Sequence, residues 1–281
     1  MKHFACLVGG ITAAAFAFST PAAAQDLGLS LTQPKVATIA QTGQTLRPGI
    51  TSADPARMLV IGDSLASGFG TLLEQRAGAR DLPMIVEGRG RPSTGLSRAD
   101  YYDWPANFAG MAAASRPDIV VAHFGANDMQ SVLAPEGRTN YGTDAWEDAY
   151  RTQIRKILDV AAENDAVLIW LGPAPDGSTN LNNHLARLNP WMEEEALAAG
   201  ASFIPLTPLT APTGVFQRTV TIDGQAISMR TADGSHFTPQ GYALVANYVL
   251  DQLIERFPEL APVETATTLA SASDPIQSDL Q

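Results

Sequence analysis

The chain has 281 residues, 45% of them hydrophobic and 17% charged, enough apolar material for a substantial buried core. Its 18 basic and 29 acidic residues give a formal net charge of −11, which argues against general nucleic-acid binding and against docking on an anionic membrane face. Few polar, low-complexity stretches interrupt the middle, so one globular domain with short tails is expected.

In chain order, Lys2 and His3 lead an apolar stretch from Phe4 to Phe18, followed by Ser19-Thr20-Pro21-Ala22-Ala23-Ala24. A charged start, an apolar middle and a small-residue finish describe a secretory signal over residues 1–24, cleaved after Ala24. The apolar run falls short of the ~20 residues a spanning helix needs, so no integral membrane segment is expected after cleavage. The expected location is periplasmic or extracellular. Cys6 is the single cysteine and leaves with the signal. The mature chain then has no disulfide, no thiol nucleophile and no cysteine-ligated metal.

Residues 25–55 lack a sustained period and read as an extended leader. The domain follows over residues 56–260, and a disordered tail rich in Ala, Ser, Thr and Asp closes the chain over 261–281. Within the domain, five short apolar runs are candidate strands: Arg57 to Ile61, Met84 to Glu87, Ile119 to Phe124, Val167 to Leu171 and Ser202 to Pro205. They are continuous rather than alternating, as in strands buried on both faces of a parallel sheet.

Helical patterns fill the gaps between them. Thr143 is a candidate N-cap, with Tyr150, Ile154, Ile157, Leu158 and Ala161 following at helical spacing. Thr238-Pro239 starts a last helix that buries Leu244, Val245, Tyr248, Val249 and Leu253 and stops at Pro258. The alternation predicts a three-layer α/β sandwich with a central parallel sheet of about five strands. A small hairpin around Asp223-Gly224 is inserted before the last helix.

In such a sandwich ligands sit at the carboxyl ends of the strands. Gly62-Asp63-Ser64-Leu65 follows the first strand and opens a helix through Leu73. A serine there sits on a tight turn, with its backbone N–H at the positive helix end; helix capping is the other role of such a serine. A glycine-rich loop, Gly88 to Leu96, follows the second strand, and its Gly95 can bring a backbone N–H close to a substrate or simply connect. Gly125-Ala126-Asn127-Asp128 follows the third, where the Asn127 amide can donate into the same crevice or serve a turn. Asp233-Gly234-Ser235-His236 precedes the last helix, with an acid placed to orient an imidazole. Each alone fits a turn or a cap; together, in this order and each at a strand end, they fit one site.

On these four blocks the chain resembles the SGNH/GDSL hydrolase superfamily. Ser93-Thr94-Gly95-Leu96, Tyr101-Tyr102-Asp103-Trp104-Pro105 and His236-Phe237-Thr238-Pro239 resemble an exported bacterial branch of it. The resemblance covers roughly Arg57 to Phe257. It implies a flavodoxin-like sandwich and ester hydrolysis without a metal or cofactor. Ser64 would be the nucleophile, His236 the base and then the acid, and Asp233 its orienting partner. The N–H groups of Ser64 and Gly95 and the Asn127 amide would form the oxyanion hole. Asp63 would brace the turn or tune Ser64, and His123 and His184 read as structural.

For the substrate, Arg89, Arg91 and Arg98 bracket Gly95 and can hold a carboxylate or phosphate, or merely line a solvated loop. Tyr102 and Trp104 offer a ring platform for sugar, or a core contact. The function expected is an O-acyl esterase acting on acetyl or succinyl groups of envelope or extracellular carbohydrate. A lipase, lysophospholipase or thioesterase and a glycan O-acyltransferase are the enzymatic alternatives. A glycan-binding protein of the same fold, or a scaffold whose tails bind partners, are the non-enzymatic ones. The sequence leaves the oligomeric state open, and also whether the inserted hairpin covers the site.

Overall fold

A computed structural model describes residues 43–135 and 137–262. The expected signal (1–24), the first part of the leader and the tail from 263 onward lie outside the described residues. In chain order the elements are β1 (Ala56–Gly62), α1 (Ser64–Ala79), β2 (Met84–Gly88), α2 (Trp104–Ser115), β3 (Ile119–His123), β4 (Val132–Ala134), β5 (Gly137–Thr139) and α3 (Asp144–Glu163). There follow β6 (Val167–Gly172), α4 (Thr179–Ala198), β7 (Ser202–Pro205), α5 (Thr207–Thr210), β8 (Thr219–Ile222), β9 (Gln225–Ser228) and α6 (Pro239–Arg256). A 3₁₀ turn over Pro258–Leu260 ends the fold.

Five strands make one parallel sheet in the order β2-β1-β3-β6-β7. This is a flavodoxin-like doubly wound order, and its direction reverses between β1 and β3, which opens a crevice at their carboxyl ends. The apolar runs mark these strands to within one residue at each end. Both faces of the sheet are covered. Leu59, Ile61, Val120, Ala122, Leu168 and Trp170 share one core with α2, α3 and α4. Residues alternate along a strand, so Val60 points the other way, onto Gly70 of α1, which packs against α6.

The helices follow their local signals. Thr143 Oγ1 accepts from Trp146 N–H at 3.2 Å, and the five residues expected to face inward from α3 are all buried. Thr238 caps α6 through Gly241 N–H at 3.1 Å, with Pro239 in the first turn. Pro fits there because its missing N–H would have no helical acceptor. The helix α1 runs past Leu73 to Ala79. The expected hairpin is β8–β9, with Asp223 and Gly224 both at positive φ, as a two-residue turn matching the strand twist requires. A second hairpin, β4–β5, lies before α3 and was not foreseen; its three-residue strands are too short to carry a period.

Residues 43–55 run along the opposite end of the sheet. Gln44 Oε1 accepts from Leu168 N–H at 3.2 Å, Arg47 pairs with Asp118 and Asp54, each at 2.9 Å, and Ile50 is buried. Among the described residues no helix is long and apolar enough to cross a membrane.

Candidate active site

The crevice between β1 and β3 begins with Gly62. Its φ is +138°, and a Cβ at this position would lie 1.8 Å from the His123 carbonyl oxygen. Only glycine lets β1 turn so sharply while β3 stays alongside. Asp63 then caps α1, its Oδ1 accepting from Leu65 N–H at 2.9 Å. Ser64 is therefore the first helical residue, and its N–H has no acceptor within the helix.

His236 meets Ser64 from across the fold. Its Nε2 lies 2.9 Å from Ser64 Oγ, and its Nδ1 lies 2.7 Å from Asp233 Oδ2. The other Asp233 oxygen, Oδ1, accepts from the Thr231 hydroxyl at 2.7 Å and from the N–H groups of Ser235 and His236 at 2.9 and 3.0 Å. The Thr231 hydroxyl first, then His236 and the two backbone donors, hold the Asp233 carboxyl well below the usual carboxylate range. It stays ionised and keeps Nδ1 protonated, which leaves Nε2 to accept from the serine hydroxyl. The His236 and Asp233 side chains are 43% and 52% exposed, so the relay lies at an open mouth rather than in a tunnel.

Two arginines brace this loop through its carbonyls. Arg218 donates to Thr231 O at 2.7 Å and to Ala232 O at 3.1 Å. Arg230 donates to Ser235 O and to Pro175 O, and its guanidinium lies 3.7 Å from the Phe237 ring centroid. Burial brings the Arg230 guanidinium down to about 10, which still leaves it charged at neutral pH. Sequence reasoning missed Thr231, Arg218 and Arg230. Thr231 lies only two residues before Asp233, but nothing in the pattern shows that its hydroxyl turns back onto the carboxylate.

The second and third loops are stitched together around Asp128. This carboxyl is fully buried, which pushes it up, and it accepts from Ser97 N–H at 2.8 Å and from the Tyr150 hydroxyl at 3.0 Å. A Cβ on Gly95 would lie 2.2 Å from Asp128 Oδ1, so the loop can pass only as glycine. The Gly95 N–H takes no acceptor among the described residues. Asn127 Nδ2 donates to Thr94 O at 2.9 Å. An amide has two N–H bonds, so one remains for a ligand. Arg91 N–H donates to Gly62 O at 2.7 Å and ties the glycine-rich loop to the serine turn. If Asn127 donates to an oxyanion, Asn127→Ala lowers kcat by about 10²–10³ with little change in KM. Unchanged kcat would remove Asn127 from that role.

The five residues named for substrate contact separate sharply. Arg89 is paired with Glu87. Arg98 is paired with Asp100 at 2.8 Å, and Asp100 also takes Arg138 at 3.0 Å. Arg98 and then Arg138 hold the Asp100 carboxyl well below the usual range. Arg91 has no ion pair among the described residues and lies 4.6 Å from the Tyr102 ring centroid. Tyr102 is half-buried and packs edge-on against Trp104. Trp104 itself corrects the expectation: it is 1% exposed, donates Nε1–H to Thr94 Oγ1 at 2.9 Å and packs edge-on against Phe124 in the core, so it offers no platform. A proline in the first turn of α2 and the Asp103 cap fix it there.

His184 lies behind the third loop. The Tyr141 hydroxyl is 2.9 Å from Nδ1, and Nε2 is 3.2 Å from Gly125 O, so Nε2 carries the proton and donates to that carbonyl. Burial lowers this imidazole to about 4. The unfolded chain takes up the proton near ~6.5, so His184 costs stability progressively as pH falls from there to about 4, and no further below. His184→Gln is expected to lose less urea-unfolding free energy than the wild type between pH 7 and about 4.5. Equal losses would show that His184 does not titrate in that window.

Comparison with known proteins agrees with this architecture. Among the solved structures that share the fold are the following three. A GDSL-like lipase from Bacteroides thetaiotaomicron VPI-5482 has 19% identity and a TM-score of 0.51, covering 74% of this chain and 92% of its own. A putative acylhydrolase from Bacteroides fragilis NCTC 9343 has 18% identity and a TM-score of 0.52, covering 74% and 90%. A variant of an acetyl-xylooligosaccharide esterase from Geobacillus Stearmophilus has 15% identity and a TM-score of 0.52, covering 70% and 94%. No curated protein matches the chain in sequence. The fold is that of the SGNH/GDSL hydrolases. Within it, the chain belongs to the family described as protein of unknown function DUF459, whose model matches residues 57–252.

Proposed function

We propose that this protein is a serine esterase that removes short acyl groups, acetyl or succinyl, from carbohydrate of the envelope or the extracellular space. The observation that carries the proposal is the unbroken hydrogen-bond relay Ser64–His236–Asp233 at the carboxyl ends of the strands. Ser64 Oγ attacks the acyl carbonyl while His236 Nε2 takes its proton. The oxyanion is held by the Ser64 and Gly95 N–H groups and the Asn127 amide. His236 then returns the proton to the departing sugar oxygen, and water repeats the sequence on the acyl-enzyme.

The open mouth supports a bulky acceptor, because half-exposed His236 and Asp233 can be approached without a tunnel. One fold neighbour is named as an acetyl-xylooligosaccharide esterase, which supports the same substrate class. The charged start and apolar run of residues 1–24 support action in the periplasm or outside the cell.

The test is hydrolysis of 4-nitrophenyl esters from acetyl to palmitoyl. Turnover greatest on acetyl supports the proposal. A maximum at long chains points to a lipase or thioesterase, and acylated glycans bound but left intact point to a binding protein. Transfer of the acyl group to an added sugar in preference to water points to an acyltransferase.

Arg91 is the proposed contact for a carboxylate or phosphate on the substrate, since its two neighbours already have partners. Arg91→Gln is expected to lower kcat/KM on an acetylated methyl uronide by about tenfold and to spare the matched neutral glycoside. Equal effects on both would remove this assignment.

A further inference from the structure

Two polar side chains beneath the Ser64 turn are unused by the relay. The Asp63 side chain is fully buried; Oδ1 takes the Leu65 N–H, and Oδ2 has no partner. His123, the last residue of β3, is 1% exposed, and its Nδ1 is likewise without a hydrogen bond. The two groups face each other, with Nδ1 3.4 Å from Asp63 Oδ1. They are held from both sides: Asp63 N–H donates to the His123 carbonyl at 3.3 Å, and the Phe69 ring packs edge-on against the imidazole at 5.3 Å.

A buried carboxylate with a single hydrogen bond is costly unless a second donor or a cation meets it. Among the described residues no arginine or lysine forms an ion pair with Asp63; the polar side chain set against it is the His123 imidazole, with Nδ1 3.4 Å from Oδ1. The four residues before it in β3, Ile119-Val120-Val121-Ala122, are all apolar. A histidine at its end, aimed at the cap of the adjacent strand's helix, needs another reason.

The electrostatics of the crevice supply one. Two buried carboxylates stand behind the backbone donors, Asp63 next to the Ser64 N–H and Asp128 against Gly95. Negative charge in that position opposes an oxyanion unless it is turned away and satisfied by other donors. Asp128 has the Ser97 N–H and the Tyr150 hydroxyl for this purpose. Asp63 has His123.

We propose that His123 is a positioning residue. It carries its proton on Nδ1, donates it to the Asp63 carboxylate, and so fixes the cap that aims the Ser64 N–H and hydroxyl. The proposal rests on Ser64 being the nucleophile, and the experiment separates the two.

In the full-length protein, a two-bond ¹H–¹⁵N spectrum of the histidine rings reads the tautomer of His123 without any substrate. A protonated Nδ1, shifted in Asp63→Asn, is expected; an unprotonated Nδ1 overturns the proposal. In kinetics on 4-nitrophenyl acetate, His123→Leu is expected to lower kcat roughly 10–100-fold with KM little changed. His123→Asn, whose side-chain N–H falls where Nδ1 was, should recover to within about threefold of wild type. In the Asp63→Asn background, His123→Leu should cost nothing further. Wild-type kcat in a folded His123→Leu overturns the proposal, and so does failure of His123→Asn to exceed His123→Leu. If the leucine variant does not fold, the tautomer decides. If the wild type turns over no ester, the esterase assignment fails while the spectrum still decides the Asp63–His123 pair.

Discussion

Ser64→Ala should lower the hydrolysis of 4-nitrophenyl acetate by at least about 10⁴-fold while leaving the fold and its unfolding free energy close to wild type. The size of the effect follows from the geometry. Ser64 Oγ is the only atom of this residue in the relay, 2.9 Å from His236 Nε2, and alanine removes it without touching the Asp63 cap or the α1 backbone. His236→Ala should cost about as much, and the double variant little more, because residues acting as one unit are strongly non-additive. Steady-state kinetics on purified variants, with circular dichroism to verify folding, checks all three. A Ser64→Ala enzyme within tenfold of wild type would mean the chemistry lies elsewhere.

The second large effect is on stability. Gly62→Ala places a Cβ 1.8 Å from a main-chain oxygen of β3 at a φ of +138°. The obstacle is backbone in the middle of the sheet, so no side chain can swing away, and the φ itself is outside the range L-residues adopt. A loss of roughly 4 kcal/mol or more in urea unfolding is expected, or failure to fold. The same substitution displaces Ser64 two residues on, so any folded fraction should also lose kcat. A variant within about 1 kcal/mol of wild type would show that this turn relaxes easily.

Much of this site was legible in the sequence because its signals are local. Continuous apolar runs mark strands buried on both faces, and the residues just after them fall at the crevice by topology. Asp233 and His236 are three residues apart on one loop, so their contact needs no long-range information. The Asp223-Gly224 turn is likewise specified by two neighbouring residues.

What was not legible depends on pairing across distance. Arg98 and Arg91 look alike in sequence, yet Arg98 is neutralised by an aspartate two residues on, which a third arginine from β5 also holds. Trp104 and Tyr102 belong to one aromatic run, and only the start of α2 decides that Trp104 turns into the core. Arg230 and Arg218 act through main-chain carbonyls, which carry no residue signature. His123 meets Asp63 only because β1 and β3 pair with Gly62 opposite His123.

The most direct test of the central claim is covalent. The intact protein is treated with a fluorophosphonate, which reacts with an activated serine, and then mapped by peptide mass spectrometry. One adduct per chain on Ser64, absent from Ser64→Ala and strongly slowed in His236→Ala, is the result predicted here. No adduct on the folded protein, or one on a different residue, would contradict the account.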